Sequence, residues 1–333
     1  MAFGQENVMA HVLALTMNPA IDVSTSVERV SPTRKLRCGQ ARRDPGGGGI
    51  NVARVVRRLG GRATAVFPAG GVIGRLLRQL VEAEDVDGGA VPVREETRED
   101  FTALETATGR QFRFVLEGPR LSGPEWMACL EAVAGQHERP DLIVVSGSLP
   151  PGVPDDVYAR VAEIARAWEI RMALDCSGPA LKAALAHGVY LVKPNLGELA
   201  DLVGAALPDE ASRIAACRRL ILDGQAEAVA LTLGEEGALL VTGDGAWRAA
   251  AIPVEAVSAV GAGDSFLGGM VWALASGRPL VEAFRYAMAA GTAAVLSPGT
   301  ELCHADDVWR LAAEVVVEPL EGAPARKAVS SAP

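Results

Sequence analysis

The stretch "AVGAGDSFLGGMVWALASG" (259–277) sets Gly261 and Gly263 immediately before Asp264 and then runs into a helical pattern. Free N–H groups at a helix start attract an anion, and the helix dipole adds partial positive charge. A carboxylate in the same turn would repel that anion. The conflict resolves if Asp264 does chemistry: it can take the proton of a hydroxyl that attacks a phosphorus held by the loop. The competing reading makes Asp264 a helix N-cap, worth about 1 kcal/mol.

Other stretches add partners. "VKPNLGE" supplies Lys193, Asn195 and Glu198. A lysine suits nucleotide phosphates; an asparagine and a glutamate suit magnesium, held through water. Lysine is scarce here, confined to Lys35, Lys182, Lys193 and Lys327. "LTLGEEGALL" places Thr232 and Gly234 at a predicted strand end, where a nucleotide could lie. Upstream, "DPGGGGINVARVVRRLGG" (44–61) runs four glycines into Asn51 and a helix, so the backbone there can approach a ligand closely.

These residues need a scaffold. Short apolar runs (11–18, 63–70, 141–148, 170–177, 189–195, 228–234 and 237–243) alternate with helix-length segments. Such alternation predicts a mostly parallel, doubly wound sheet with helices on both faces. Several runs end on polar residues: Asn18, Ser146 with Ser148, Asp175, and Lys193 with Asn195. Ligands of open α/β sheets bind outside the carboxyl ends of the strands, so these residues converge on one crevice. Residues 22–43 and 99–116 break the rhythm and read as a small added sheet, the second a hairpin turning near Thr108–Gly109. That sheet is expected to be a lid or a dimer surface.

The 333 residues carry a formal charge of −9, which disfavours nucleic acid and anionic membranes as partners. No apolar run approaches the roughly 18 residues of a membrane span. The five cysteines are scattered, as in a reduced cytoplasmic protein, and the four histidines lack metal-ligand spacing. No Gly-Lys pair exists, which excludes the usual P-loop. No G-x-G-x-x-G follows the first strand, and no G-x-S-x-G elbow is present.

The sequence resembles the ribokinase-like sugar kinases of the PfkB type. The carrying residues are "GGGGINVA", "KPNLGE" and "AVGAGDSFLGG", and the likeness runs from about residue 11 to about 312. Within the family the text is nearest to the minor bacterial 6-phosphofructokinases, through "TRKLRCGQ", "AVFPAGG", "VVSGSLPPG", "LVKPN" and "GTELC". The resemblance implies a three-layer α/β/α domain over 11–317, with lid strands from about 22–43 and 92–116. Residues 1–10 and 318–333 are expected to be disordered tails. It implies ATP-dependent phosphorylation of fructose 6-phosphate, with magnesium, a possible potassium ion, and a homodimer formed through the lid.

Residue by residue, the resemblance makes Asp264 the base and Gly261, Ala262 and Gly263 the anion hole. Asp22, Gly47, Gly48, Asn51, Ser146 and Ser148 would face the sugar. Lys35, Arg37 and Arg98 would hold its phosphate, with Arg113 a further candidate. Lys193, Asn195, Thr232, Gly234, Gly237, Ser258 and Val260 would serve ATP, and Glu198 magnesium. Ser297 and Gly299 fall where family members often bind a monovalent cation. The first motif reads "TMNPAID", a form nearer to 1-phosphofructokinases and tagatose-6-phosphate kinases, so those sugars stay open as alternatives. A non-catalytic sugar-phosphate sensor is the reading from a different class.

Overall fold

The computed structural model describes residues 10–320. Seven strands run parallel in the main sheet: β1 (His11–Leu15), β4 (Arg62–Gly70), β5 (Asp87–Val93), β8 (Leu142–Ser146), β9 (Arg171–Asp175), β10 (Val189–Val192) and β11 (Ala226–Thr232). Their order is β5-β4-β1-β8-β9-β10-β11. Three antiparallel strands, β12 (Ala238–Thr242), β13 (Ala246–Ala249) and β14 (Val317–Pro319), extend the β11 edge. Along β1, Val12 and Ala14 pack to one side and Leu13 and Leu15 to the other. A sheet buried on both faces explains why its strands read as unbroken apolar runs.

One face is covered by α1 (Gly48–Arg58), α2 (Gly71–Ala83), α8 (Ala262–Ala275), α9 (Leu280–Val295) and α10 (Ala305–Glu314). The other carries α3 (Gly123–Ala134), α4 (Val157–Ala167), α5 (Gly178–Leu185), α6 (Leu196–Val203) and α7 (Glu210–Leu222). The predicted doubly wound, three-layer architecture is present. Helix α8 is buried on all sides from Ser265 to Leu274. Its glycines allow this: a Cβ on Gly268 would stand 2.6 Å from Val55 Cβ of α1, and one on Gly269 2.7 Å from Ala290 Cβ of α9. Close packing of α8 against α1 brings the start of one helix beside the start of the other.

The added sheet is four-stranded, in order β3-β2-β6-β7, built from β2 (Ala20–Val27), β3 (Arg42–Gly46), β6 (Arg98–Glu105) and β7 (Arg110–Phe114). The β6–β7 turn falls at residues 106–109, with Gly109 at φ +72°. Two expectations need correction. Residues 28–41 are loop, so the first lid segment is two strands separated by a long connection. Strand β3 reads "RRDPG", without alternation, because it is an edge strand, where charges and a proline are tolerated. The start of the expected 318–333 tail is strand instead: Glu318 and Pro319 pair with Arg248 and Trp247 at the sheet edge. The rest of both expected tails, 1–9 and 321–333, lies outside the described residues. Among the described residues no helix is long and apolar enough to cross a membrane.

Candidate active site

From β1 the chain winds outward one way through β4 and β5, then the other way through β8 to β11. The reversal at β1 and β8 opens a crevice at the carboxyl ends of the strands. It has a volume of about 360 Å³, with the lid sheet forming one wall.

Asp264 lies on the crevice floor, in the first turn of α8. The helix is capped by Gly261, whose φ of +77° is left-handed and favours glycine. The N-cap position belongs to Gly261 and Asp264 stands three residues into the turn, so the N-cap reading is set aside. Its Oδ2 instead accepts from Asn51 Nδ2 of α1 at 2.8 Å. Burial, then the charge of Asp175, push the Asp264 carboxyl up to about 6 against the opposing Asn51 bond, Lys193 and Arg113. It is therefore a stronger base than a solvated aspartate, yet still ionised at neutral pH.

Lys193, just past β10, is almost wholly buried and pairs with Asp175 at the end of β9 (Nζ–Oδ1 3.1 Å). Burial acts to lower its pKa, but Asp175, Asp264 and Glu198 outweigh that and hold it above the usual lysine value. A Cβ on Gly263 would lie 3.7 Å from Lys193 Nζ, so the ammonium sits against the start of α8. A fixed cation and a helix N-terminus thus face one point, a suitable seat for a phosphoryl group.

The lid wall is acidic at its base. Asp44, Asp22 and Asp100 are direct cross-strand partners on β3, β2 and β6. Asp44 is buried and satisfied by Arg42 Nε (3.0 Å) and the Thr300 hydroxyl (2.8 Å). Asp22 is not so neutralised. Burial, then Asp100, with Asp264 adding, push it up to about 7 despite Arg113 and Arg54. Arg98 and Arg113 reach the same wall. Arg98 is held by Leu116 O (2.7 Å), Asn18 O (3.1 Å) and Asp100 (3.5 Å).

The glycine run brings the opposite wall close. At Gly47 φ is +110°, and at Gly48 a Cβ would collide with the Ser146 hydroxyl. Ser146 and Ser148 both line the crevice, and Asn18 Nδ2 donates to Ser148 Oγ at 3.2 Å. Gly48→Ala is expected to cost about 1–3 kcal/mol, read as a lower denaturant midpoint. An unchanged midpoint would show that α1 can retreat from β8 freely.

A model of the pfkB family carbohydrate kinases matches residues 9–307. The chain belongs to the pfkB family of carbohydrate kinases. This pfkB kinase is 46% identical over 310 residues to the ATP-dependent 6-phosphofructokinase isozyme 2 of Mycobacterium tuberculosis, covering 93% of this chain and 91% of that one. Its fold superposes on the phosphofructokinase-2 of Escherichia coli in complex with fructose-6-phosphate with a TM-score of 0.86 at 39% identity, covering 92% and 99% of the two chains. A structure of the same E. coli enzyme in complex with potassium gives 0.87 at 40% identity with the same coverage.

The kinase places the remaining candidates unevenly. Asn195 and Glu198 form a capping box on α6: Asn195 Oδ1 accepts from the Glu198 amide (2.9 Å) and Glu198 Oε2 from the Asn195 amide (2.8 Å). Glu198 also lines the crevice, whereas Asn195 is exposed beside it. Thr232, Gly234 and Gly237 sit around the β11–β12 turn, outside the crevice itself. Ser258 is buried and donates to Gly299 O (2.8 Å); Val260 reaches the crevice. Ser297 is buried in the same loop as Gly299. Lys35 and Arg37 are exposed on the 28–41 loop and do not line the crevice. The sequence reading did not single out Asp100, Arg54 or Thr300, and saw Asp175 only as a polar strand end. Lid pairing and helix burial, invisible one residue at a time, bring them in.

Proposed function

We propose that this kinase transfers the γ-phosphoryl group of ATP to the C1 hydroxyl of fructose 6-phosphate, the phosphofructokinase step of glycolysis. The observation that carries the reading is Asp264 on the crevice floor, in the first turn of α8 behind the Gly261 cap and held by Asn51. Asp264 accepts the hydroxyl proton as the C1 oxygen attacks. The amides of Gly261, Ala262 and Gly263, with Lys193, face the charge that builds on the phosphoryl oxygens. Asp22 is partly protonated near neutral pH and so can both donate to and accept from sugar hydroxyls. Gly47, Gly48, Asn51, Ser146 and Ser148 close on the sugar, and Arg98 and Arg113 meet its 6-phosphate. ATP lies towards Thr232, Gly234, Gly237, Ser258 and Val260.

Magnesium fits Glu198, which spends one oxygen on its cap and has the other free for a hydrated cation. When bound, it would neutralise phosphate charge. Ser297 and Gly299 are the proposed potassium position, supported by the potassium complex of the E. coli relative. Phe101 and Phe114, cross-strand partners, are exposed on the outer lid face. That face supports a homodimer through the lid, and five unpaired cysteines suit the reducing cytoplasm. The test is a substrate panel with ATP. Fructose 6-phosphate should give the highest kcat/KM, above fructose 1-phosphate and tagatose 6-phosphate. Higher kcat/KM with either of the others would reassign the sugar, and no turnover with any would favour the sensor.

A further inference from the structure

Arg54 follows Asn51 by three residues on α1 and has no exposed surface. Residues three apart share a helix face. Its guanidinium forks between backbone and side chains. Nη1 donates to Pro45 O (2.9 Å) and to Asn51 Oδ1 (3.2 Å). Nη2 donates to Glu84 Oε1 (2.7 Å), just beyond α2, and lies 3.9 Å from Asp44 Oδ1. An arginine has donors and no acceptors, so only the oxygen of the Asn51 amide can face it. The amide nitrogen is thereby turned the other way, where it donates to Asp264 Oδ2.

We propose that Arg54 is a positioning residue for phosphoryl transfer, locking the Asn51 amide in the one orientation that donates to the Asp264 carboxylate. The proposal rests on the reading of Asp264 as the base. A flipped amide would set its oxygen against the carboxylate. That arrangement repels the ionised base and suits the protonated, inactive acid. Pro45 O shares Nη1 with Asn51 and Glu84 holds Nη2, so the line Glu84–Arg54–Asn51–Asp264 runs from a helix end to the crevice floor. The other charges that face Asp264 are Asp175 and Lys193 from the main sheet and Asp22 and Arg113 from the lid. The hydrogen bonds of the Asn51 amide run to Asp264 and from Arg54, and to none of these.

The test is a double-mutant cycle on the full chain with ATP and fructose 6-phosphate, with kcat expressed per folded enzyme. Arg54→Met should lower kcat about 10- to 100-fold, with KM for ATP little changed. The acidic limb of the kcat–pH profile should move upward by about one unit, as for loss of a hydrogen bond to a charged group. In an Asn51→Ala background the same substitution should cost nothing further in kcat or pH profile, because its target is gone. Arg54→Lys keeps the charge but not the fork, and should show the same non-additivity if Arg54→Met folds poorly. Unchanged kcat, a limb that stays in place, or losses that multiply between positions 51 and 54 would overturn the proposal. Asp264→Asn separates the two readings: normal turnover there removes the base itself, whereas lost turnover beside unaffected Arg54 variants removes only the role of Arg54.

Discussion

Asp264→Asn is expected to lower kcat by roughly 10²- to 10⁴-fold while KM for ATP changes little. Asparagine keeps the shape and can still accept the Asn51 hydrogen bond through its own oxygen. It cannot take a proton from the sugar hydroxyl. The loss should therefore fall on the chemical step and leave nucleotide binding intact. The same residue sets a pH dependence. Its carboxyl is raised from the ordinary 3.8 to about 6. Only the ionised form is a base, so kcat should climb as pH rises through about 6 and level off above it. A profile that is already flat at pH 5, or near-normal turnover by the variant, would take Asp264 out of the reaction.

Lys193→Met should have the second largest effect, and on two properties at once. The ammonium is nearly buried and stands between Asp175 and the start of α8. Without it, Asp175 is left as a largely buried anion beside another carboxylate, which costs about 3 kcal/mol or more of stability. The phosphoryl seat also loses its fixed cation, and kcat should drop roughly 10²- to 10³-fold. The two losses can be separated with Lys193→Met/Asp175→Asn. Neutralising both partners should restore most of the unfolding midpoint and none of the turnover. Recovery of turnover in the double variant would make Lys193 a purely structural partner of Asp175.

The parts of the site that could be read in the sequence are those carried by contiguous text. "VGAGD" announced a carboxylate inside an anion-binding helix turn, and "GGGGIN" a close backbone approach with a polar residue behind it. The alternation of apolar runs with helical patterns announced the sheet. What stayed hidden depends on pairing across distance. Asp44, Asp22 and Asp100 become neighbours only once β3, β2 and β6 are in register, and β3 has no strand signal because edge strands need none. Arg54 looks like the polar face of "VARVVRRLGG", yet it is wholly buried because Pro45, Asn51 and Glu84 supply acceptors around it. Lys35 and Arg37 have suitable charge and lie in a matching motif, but their loop leads away from the crevice. The N-x-x-E spacing of "NLGE" is also the pattern of a capping box, and the structure uses it that way.

The lid separates alignment from movement along its own length. Strands β2 and β6 run side by side in register from Ala20–Arg98 to Val27–Glu105, about 23 Å from first pair to last at the usual rise. The crevice residues Asp22, Arg98 and Asp100 all belong to the first three pairs, next to the point where β2 leaves β1. These three thus sit at the base of the sheet, with Arg113, opposite Thr102, further out along it. A swing of about ten degrees that carried the far end about 4 Å would shift Asp22 by only about 1 Å. A lid that swung about this base would open at its far end while Asp22 and Asp100 kept their place beside Asn51 and Asp264.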